Sequence, residues 1–268
     1  DKLLGRKARS VDPLGRKSAA GRPAPEQDLF TLIHQGFYPR IHDKGHDAHD
    51  WLHNYIQTYL ERDVRDLVQV ADLESFRRFL ALCAGRSGQL LNLSNLATDC
   101  GISHTTARRW LSILETSFLV ILLRPHLRIF NKRLIKSPKL YFLDTGLLCA
   151  LLRIQGPDDL TRHAARGAIF ETFVVAELHK RIQHAAGTQG LFFWRESSGH
   201  EVDILIDGGA SIAALEVKSG RTLNADFFRG LEYWQRLQGE DPSPRALIYA
   251  GDKSLRRRGV FVHAWHDF

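Results

Sequence analysis

Two carboxylates face each other across a strand hairpin in the last third of the sequence. Asp203 lies in the first strand-like run and Glu216 in the second, and Gly208-Gly209 marks the turn between them. A four-residue loop from Gly208 to Ser211 would pair Asp203 with Glu216, their Cβ atoms roughly 5 Å apart. Two carboxylates at that distance repel each other unless a cation lies between them.

A lysine follows on the second strand of this hairpin. Glu216 and Lys218 share one strand face, because side chains alternate along a strand. Mg²⁺ prefers one or two carboxylates and keeps several waters, and it stabilises charge on a phosphoryl group. The hairpin therefore predicts a divalent-metal site at Asp203 and Glu216 with Lys218 beside it. Glu-Val-Lys also occurs by chance on solvent-facing strands, so other parts of the sequence have to support this interpretation.

The order of these residues resembles the PD-(D/E)XK nuclease fold. Asp203 is followed on the next strand by Glu216-Val217-Lys218, although Glu201-Val202 stands where the proline of that pattern would be. The resemblance implies that Asp203 and Glu216 bind Mg²⁺ and that Lys218 orients or activates the attacking water. A preceding helix often supplies another acid, and the motif Gly167-Ala-Ile-Phe-Glu171 fits that role. Glu171 and Lys218 are thus the candidate catalytic residues.

Three further motifs occur in order before or at the start of this region. They are Tyr59–Arg65, Lys132–Gly146 and Gly167–Glu171, and together they resemble prokaryotic AAA-type ATPases that end in the domain of unknown function 4143. The resemblance covers about residues 30–220. Such ATPases carry a P-loop domain upstream, and this sequence contains no Gly-x-x-x-x-Gly-Lys-Ser/Thr stretch. The resemblance therefore implies that this chain is the C-terminal part of such a protein. ATP binding and self-association would then occur only through the ATPase region.

Composition restricts the compartment and the class of protein. No apolar run reaches the roughly 18 residues of a membrane helix, and no signal peptide opens the sequence. Three cysteines without Cys-x-x-Cys spacing predict buried thiols in a reducing cytoplasm. The net charge is +7, and residues 1–25 contain seven Lys/Arg and two Asp. This segment is interpreted as a basic linker or the end of the ATPase core, or alternatively as a phosphate-binding arm.

Residues 26–85 are predicted to be a helical segment. Apolar spacing indicates one long helix from Ala48 to Val70 and a second from Leu73 to Cys83. Histidines and aspartates cluster between His42 and Asp50, before and at the start of the long helix. A polar loop with an Asp-rich helix start explains this cluster, and a zinc site is the alternative.

Residues 86–128 carry a helix-turn-helix pattern. A short helix around Leu93 is followed by a turn at Gly101 and by a second helix from His104 to about Thr116, capped by Ser103. A strand-like run after this helix is consistent with a winged helix. The start of the second helix carries the candidate DNA-binding residues His104, Thr105, Arg108 and Arg109. A winged helix used only for protein packing is the alternative.

The remaining residues complete the predicted organisation. Residues 129–160 are a connecting segment that ends in a loop at Gly156-Pro157, and residues 161–268 are a PD-(D/E)XK-like domain with a mixed sheet. In that domain Arg256, Arg257 and Arg258 are read as a solvated loop, or alternatively as a nucleic-acid contact. The predicted fold class is thus α/β, with a helical segment and a winged helix preceding the nuclease-like domain.

Two functions remain open at this point. The first is the C-terminal portion of a DNA-associated ATPase with an Mg²⁺-dependent phosphodiesterase site and no membrane contact. The second is a non-catalytic DNA- or protein-binding module with an inactive nuclease fold. The presence of Glu171, Asp203, Glu216 and Lys218 together favours the first, because a degenerate site would have lost one of them.

Overall fold

The computed structural model describes residues 27–60, 73–127, 134–184, 189–239 and 243–268. Three predictions fall outside these ranges: the basic segment 1–25, the continuation of the long helix beyond Leu60, and the basic residues between 128 and 133. Within the described ranges, no helix has the length and apolar character needed to cross a membrane.

The chain divides into two compact units that alternate along the sequence. The helical unit contains Glu26–Leu123 and Ser137–Phe173, and the sheet unit contains Arg124–Lys136 and Val174–Phe268. The domain ranges expected from the sequence stay a prediction.

Short capped helices make up most of the helical unit. Aspartate, asparagine or serine side chains accept a backbone N–H at the start of five of them, as expected for N-caps. A single π-helical turn, Ile56–Leu60, follows the third helix. The helices are α1 Leu29–Gln35, α2 Pro39–Lys44, α3 Ala48–Tyr55, α4 Leu73–Ala84, α5 Leu93–Cys100, α6 His104–Thr116, α7 Thr145–Leu151, α8 Pro157–Arg162 and α9 Arg166–His184, the last of which continues into the sheet unit.

The predicted pair of helices with a tight turn is present in α5 and α6. Gly101 between them has φ +75°, and the Ser103 side chain accepts the Thr106 N–H at 3.0 Å. Three antiparallel strands accompany them in the order β1-β3-β2, namely β1 Gln89–Leu90, β2 Val120–Pro125 and β3 Lys139–Phe142. Trp110 of α6 packs edge-on against Phe76 and Phe79 of α4, with ring centroids 5.4 Å apart in both pairs.

Helix α8 corrects one prediction. The sequence Gly156-Pro157-Asp-Asp was expected to be a loop, but Pro157 is the first residue of a helix. Proline is well suited to that position, because the first helical N–H has no partner within the helix. Asp158 and Asp159 lie in the first turn, where the positive end of the helix dipole favours acids.

A mixed sheet forms the sheet unit, as predicted. Its strands are β4 Gly190–Arg195, β5 Glu201–Asp207, β6 Ile212–Lys218, β7 Arg245–Tyr249, β8 Leu255–Arg257 and β9 Val260–Ala264, in the order β4-β5-β6-β7-β9-β8. The β6–β7 and β7–β9 pairs are parallel, and the other pairs are antiparallel. Arg124 and Pro125, the end of β2, pair in parallel with Phe192 and Phe193 of β4.

Helix α10, Arg229–Gln238, connects β6 to β7 and packs against the sheet. Parallel neighbours need such a crossover, because a short hairpin cannot join them. A 3₁₀ turn, Ala225–Phe228, precedes the helix. Phe228, Leu231 and Trp234 are fully buried in the core of the unit, where Trp234 meets Trp194 edge-on with ring centroids 5.6 Å apart.

Strand β8 corrects a second prediction. Residues 255–257 were expected to lie in a basic loop, but they pair with β9 at the sheet edge. Two residues, Arg258 and Gly259, form the turn, and both have positive φ, +53° and +73°. Such a turn matches the twist of a two-residue hairpin. This strand is hard to recognise in the sequence, because a run of three arginines is typical of a solvated loop.

The prediction that the cysteines are buried thiols is confirmed. Cys83, Cys100 and Cys149 are all free and buried. Burial raises the pKa of the Cys83 and Cys149 thiols well above the ordinary value, because the thiolate is poorly solvated there.

Candidate functional site

The β5–β6 hairpin has the register expected from its turn. Asp207 pairs with Ile212 across the four-residue loop, and Ile204 pairs with Leu215 further along the ladder. One more step in this register brings Asp203 opposite Glu216. Gly209 has φ +80°, and its N–H donates to Asp207 Oδ1 at 2.8 Å, which fixes the turn.

Asp203, Glu216 and Lys218 contact one another, and we call them the strand cluster. The Lys218 ammonium donates to Glu216 Oε2 and lies 3.3 Å from Asp203 Oδ2. The backbone N–H of Val217 donates to the same Asp203 oxygen at 2.8 Å. A lysine cation thus lies where the sequence predicted a cation between two carboxylates.

The charges of the strand cluster are strongly coupled because the cluster is buried. The side chain of Glu216 is only 6% exposed, and that of Asp203 is 14% exposed. Burial and the nearby Asp203 carboxylate raise the pKa of Glu216 well above its ordinary value, although Lys218 opposes this shift. Burial alone would lower the pKa of Lys218, but Asp203 and Glu216 outweigh it, so that its pKa is raised and the amine stays protonated.

The first turn of α10 covers the Glu216 carboxylate. A Cβ atom built at Gly230 would lie 2.0 Å from Glu216 Oε1 and 2.9 Å from the Glu201 carbonyl oxygen. Only glycine leaves room for the carboxylate at this distance. The sequence reasoning missed Gly230, because nothing local to the helix indicates which strand residue it contacts.

A second ion pair joins β4 and β5. Arg195 Nη1 donates to Glu201 Oε2 at 2.9 Å, and Arg195 pairs directly with Glu201 in the ladder. The β4–β5 register shifts between this pair and the pair of Phe192 with Leu205, so strand alternation does not place Glu201 on the face of Asp203.

Glu171 of α9 has its described contacts within the helical unit. Its carboxylate accepts hydrogen bonds from Lys139 Nζ, at 3.0 Å, and from the Tyr141 hydroxyl, and we call these three residues the Lys139 cluster. The Lys139 side chain is 4% exposed and that of Glu171 is 16% exposed. The role of Glu171 in an acidic cluster with Asp203 and Glu216 stays a prediction.

The residues expected to contact DNA lie on an open face of α6. His104, Thr105, Arg108 and Arg109 are all exposed, whereas Ala107 and Trp110 of the same helix are buried. The exposed positions leave hydrogen-bond donors accessible at the start of the helix.

The histidines and aspartates before α3 have a structural role at the helix start. The Asp47 side chain caps α3 by accepting the Asp50 N–H at 2.9 Å, and Asp50 lies in the first turn. Asp47, His49 and Asp50 bring their ligand atoms within 4.8 Å of one another, but all three are exposed. The cap accounts for Asp47, and the choice between a polar loop and a zinc site stays a prediction.

Two families, each described as a domain of unknown function, match separate parts of the chain. Residues 166–267 match the family described as domain of unknown function DUF4143, and residues 26–158 match the family described as domain of unknown function DUF8612. The DUF4143 part of the expected resemblance is confirmed.

Two similar proteins are known from mycobacteria. Uncharacterized proteins of Mycobacterium bovis and Mycobacterium tuberculosis are each 33% identical to this chain over 206 residues, which is 77% of the chain. The aligned part is 45% of each relative, so the chain corresponds to about half the length of the curated proteins that it matches. No solved structure matches the chain.

Proposed function

We propose that the strand cluster is an Mg²⁺-dependent phosphodiesterase site that acts on DNA. The observation that carries this proposal is the buried pair of carboxylates, Asp203 and Glu216, with the pKa of Glu216 raised by burial and by Asp203. A buried carboxylate whose charge is disfavoured in this way gains strongly from a cation.

The donor atoms of the cluster fit Mg²⁺. They are carboxylate oxygens, which Mg²⁺ prefers, and the Val217 carbonyl between Glu216 and Lys218 can add another oxygen. Asp203 and Glu216 would hold the ion. When bound, Mg²⁺ supplies stabilisation of the negative charge that develops on a phosphoryl group.

Lys218 has a defined part in this proposal. Its raised pKa keeps it protonated near neutral pH, so that it acts as a hydrogen-bond donor and not as a base. An ammonium at this place can orient an attacking water or donate to a phosphate oxygen. A role for Glu171 as a further acid stays what the family resemblance implies, since its described contacts are to Lys139 and Tyr141.

DNA contact through α6 is the second part of the proposal. The order of elements α4, β1, α5, α6, β2 and β3, with the sheet order β1-β3-β2, supports a winged helix. The exposed Arg108 and Arg109 would contact phosphates or guanine edges, and His104 and Thr105 would lie beside them.

The match to DUF4143 supports a wider context for the whole protein. We place this chain as the C-terminal portion of a DNA-associated AAA-type ATPase in the cytoplasm. ATP and self-association belong to the ATPase region, which this sequence does not include. The relatives, about twice as long as the aligned segment, leave room for such a region.

One observation favours the alternative of a non-catalytic binding module with an inactive nuclease fold. The Lys218 ammonium already neutralises part of the charge on Asp203 and Glu216, and α10 covers Glu216 through Gly230. In that case, the three residues would hold β5 and β6 together, and any DNA binding would not depend on them.

Calorimetry with Mn²⁺ separates the two functions. The parent chain should bind Mn²⁺, and Asp203→Asn should bind it about tenfold more weakly or less, because one metal-binding charge is lost with little change of shape. Glu74→Gln, on the exposed surface of α4, is the matched control and should bind as the parent does. Mn²⁺ binding that is equal in parent and Asp203→Asn, or absent in both, would rule out the metal site.

A cleavage assay tests the catalytic part. Plasmid DNA incubated with Mg²⁺ should be nicked by the parent, and not by Asp203→Asn or Lys218→Gln. Metal binding without cleavage in the parent, under conditions where DNA is bound, would favour the non-catalytic module.

A further inference from the structure

We propose that the β8–β9 hairpin is a surface that binds the phosphate backbone of a nucleic acid. We call it the arginine hairpin, Lys253–Gly259, together with Arg245, which lies against its turn. The inference rests on the proposed function in one respect, because the nucleic acid is taken to be the substrate of the strand cluster.

The arginine hairpin concentrates positive charge on an exposed edge. Every residue from Lys253 to Gly259 is exposed, and Lys253, Arg256, Arg257 and Arg258 carry no acid among them. Arg245 adds a fifth cation, since its Nη2 lies 3.4 Å from a Cβ built at Gly259. Positive charge in such a group attracts a polyanion and releases its counterions.

Two of the guanidinium groups lie over aromatic rings. The Cζ atom of Arg256 is 4.8 Å from the centroid of Phe261, its direct partner in the ladder, and that of Arg258 is 5.7 Å from the centroid of Phe228. A cation–π contact of this kind restricts the side chain. A planar guanidinium is well suited to bidentate contact with phosphate.

The turn itself indicates that an arginine side chain is needed there. Arg258 has φ +53°, a conformation that glycine, asparagine or aspartate adopts at lower energy. Arg258 Nη1 bonds Glu232 Oε1 of α10 at 2.8 Å, which ties the turn to that helix. Within the described ranges, the Arg257 side chain has no ion pair or hydrogen bond, so its guanidinium donors are available.

Helix α10 connects the arginine hairpin to the strand cluster. Its first turn contacts both places, through Gly230 at the Glu216 carboxylate and through Glu232 at Arg258. Strands β7 and β9 lie between β6 and β8, so the arginine hairpin is three strand spacings, roughly 14 Å, from the strand cluster. A nucleic-acid backbone bound along the arginines would extend across the sheet towards the cluster, which gives the hairpin a place in positioning the substrate.

Fluorescence anisotropy with labelled duplex DNA tests this surface. The variant Arg256→Gln/Arg257→Gln removes two cations and keeps Arg258 with its bond to Glu232. We expect its affinity to fall by about tenfold at low salt, and the slope of log K against log salt to fall by about two. The control Arg40→Gln/Lys44→Gln removes two exposed cations of α2 and should bind within about twofold of the parent.

The conservative variant Arg256→Lys/Arg257→Lys protects the test against misfolding. It keeps the charge, so it should retain the parent's salt slope while losing part of the affinity that planar guanidinium contacts supply. An equal loss in the α2 control would mean general charge attraction, and it would overturn the proposal. A parent that binds vesicles of anionic lipid but no DNA would overturn it as well.

Mn²⁺ calorimetry on the same variants keeps this proposal separate from the proposed function. Arg256→Gln/Arg257→Gln should bind Mn²⁺ as the parent does, because it leaves Asp203 and Glu216 untouched. If the parent binds DNA through the hairpin but does not bind Mn²⁺, the proposed phosphodiesterase site is wrong and the proposed DNA-binding surface stands.

Discussion

Both units of the molecule contain a lysine that meets glutamate, the buried Lys139 and the partly exposed Lys218, and the two arrangements differ in charge balance. In the Lys139 cluster one ammonium faces the Glu171 carboxylate, with the Tyr141 hydroxyl as a second donor. In the strand cluster one ammonium is shared by Asp203 and Glu216. The first is balanced, whereas the second holds an excess negative charge, which is the condition for binding a further cation.

The comparison teaches that the residue types alone do not define a metal site. Lysine and glutamate occur in both clusters, and both lysines donate at hydrogen-bond distance. What differs is the number of carboxylates for each ammonium. Four variants test whether this difference determines stability and the response to metal. They follow in order of decreasing expected effect on stability.

Removing the lysine of the balanced cluster should have the largest effect on stability. Lys139→Met leaves the Glu171 carboxylate buried without its cation, which costs about 3–5 kcal/mol in the free energy of unfolding. Denaturant titration measures this loss. Adding Mn²⁺ should not restore it, and the double variant Lys139→Met/Glu171→Leu should recover much of it, since an apolar pair replaces the ion pair.

The equivalent change in the strand cluster should be smaller and should respond to metal. Lys218→Met leaves two repelling carboxylates, and we expect a loss of about 2–3 kcal/mol, as this lysine is partly exposed. Mn²⁺ at about 100 times its dissociation constant should return about 2.7 kcal/mol. Unfolding curves with and without Mn²⁺ measure this gain in stability. If Mn²⁺ stabilises Lys139→Met by the same amount, the two clusters do not differ in their response to metal.

Filling the space above Glu216 should have a moderate effect. Gly230→Ala introduces a Cβ atom that would lie 2.0 Å from Glu216 Oε1, so the carboxylate or α10 has to move. We expect a loss of about 1–2 kcal/mol, although alanine favours a helix more than glycine does. Gly156→Ala is the control, because no atom lies within 4 Å of a Cβ there. If Gly230→Ala and Gly156→Ala unfold at the same temperature, α10 leaves room for a side chain above the Glu216 carboxylate.

The smallest effect concerns pH. The pKa of Glu216 is raised in the folded state, so its contribution to stability is full below the ordinary value of 4.5 and is lost as the pH rises through the folded value. Glu216→Gln should therefore gain stability relative to the parent as the pH rises above 4.5. Lys218 does not titrate in this window, because its pKa is raised from 10.5.

Denaturant titrations of both proteins between pH 4.5 and 8 measure this difference. A difference between parent and variant that stays constant with pH would show that Asp203 and burial do not disfavour the Glu216 charge. The Lys139 cluster offers the comparison, because Glu171→Gln leaves the buried Lys139 ammonium without its carboxylate and should be destabilised.

The hairpin could be predicted because its information is local. The Gly-Gly turn, the alternation of β5 and β6 and the position of Asp203 are all contained in residues 201–218, and the register followed from them. Helix α6 was likewise indicated by its cap at Ser103 and by its apolar spacing. A mixed sheet was expected from the order of elements together with the nuclease resemblance, whereas the order of its strands was not predicted.

The missed features depend on contacts between distant residues. Gly230 lies 14 positions after Glu216, and Lys139 and Glu171 are 32 positions apart, so no local pattern connects either pair. Local rules also conflicted in two places. Pro157 suggested a loop where it begins α8, and the arginines suggested solvent where β8 pairs with β9. In both cases, tertiary packing decided between two readings that the residues allowed.

The burial of every cysteine has a practical consequence for labelling. Maleimide reagents attack the thiolate, and the raised pKa values of Cys83 and Cys149 keep these buried thiols protonated at neutral pH. A cysteine introduced at the exposed position Ser211 would then react selectively in the folded protein. A fluorophore at that hairpin tip would report on β5 and β6 without any further change to the chain.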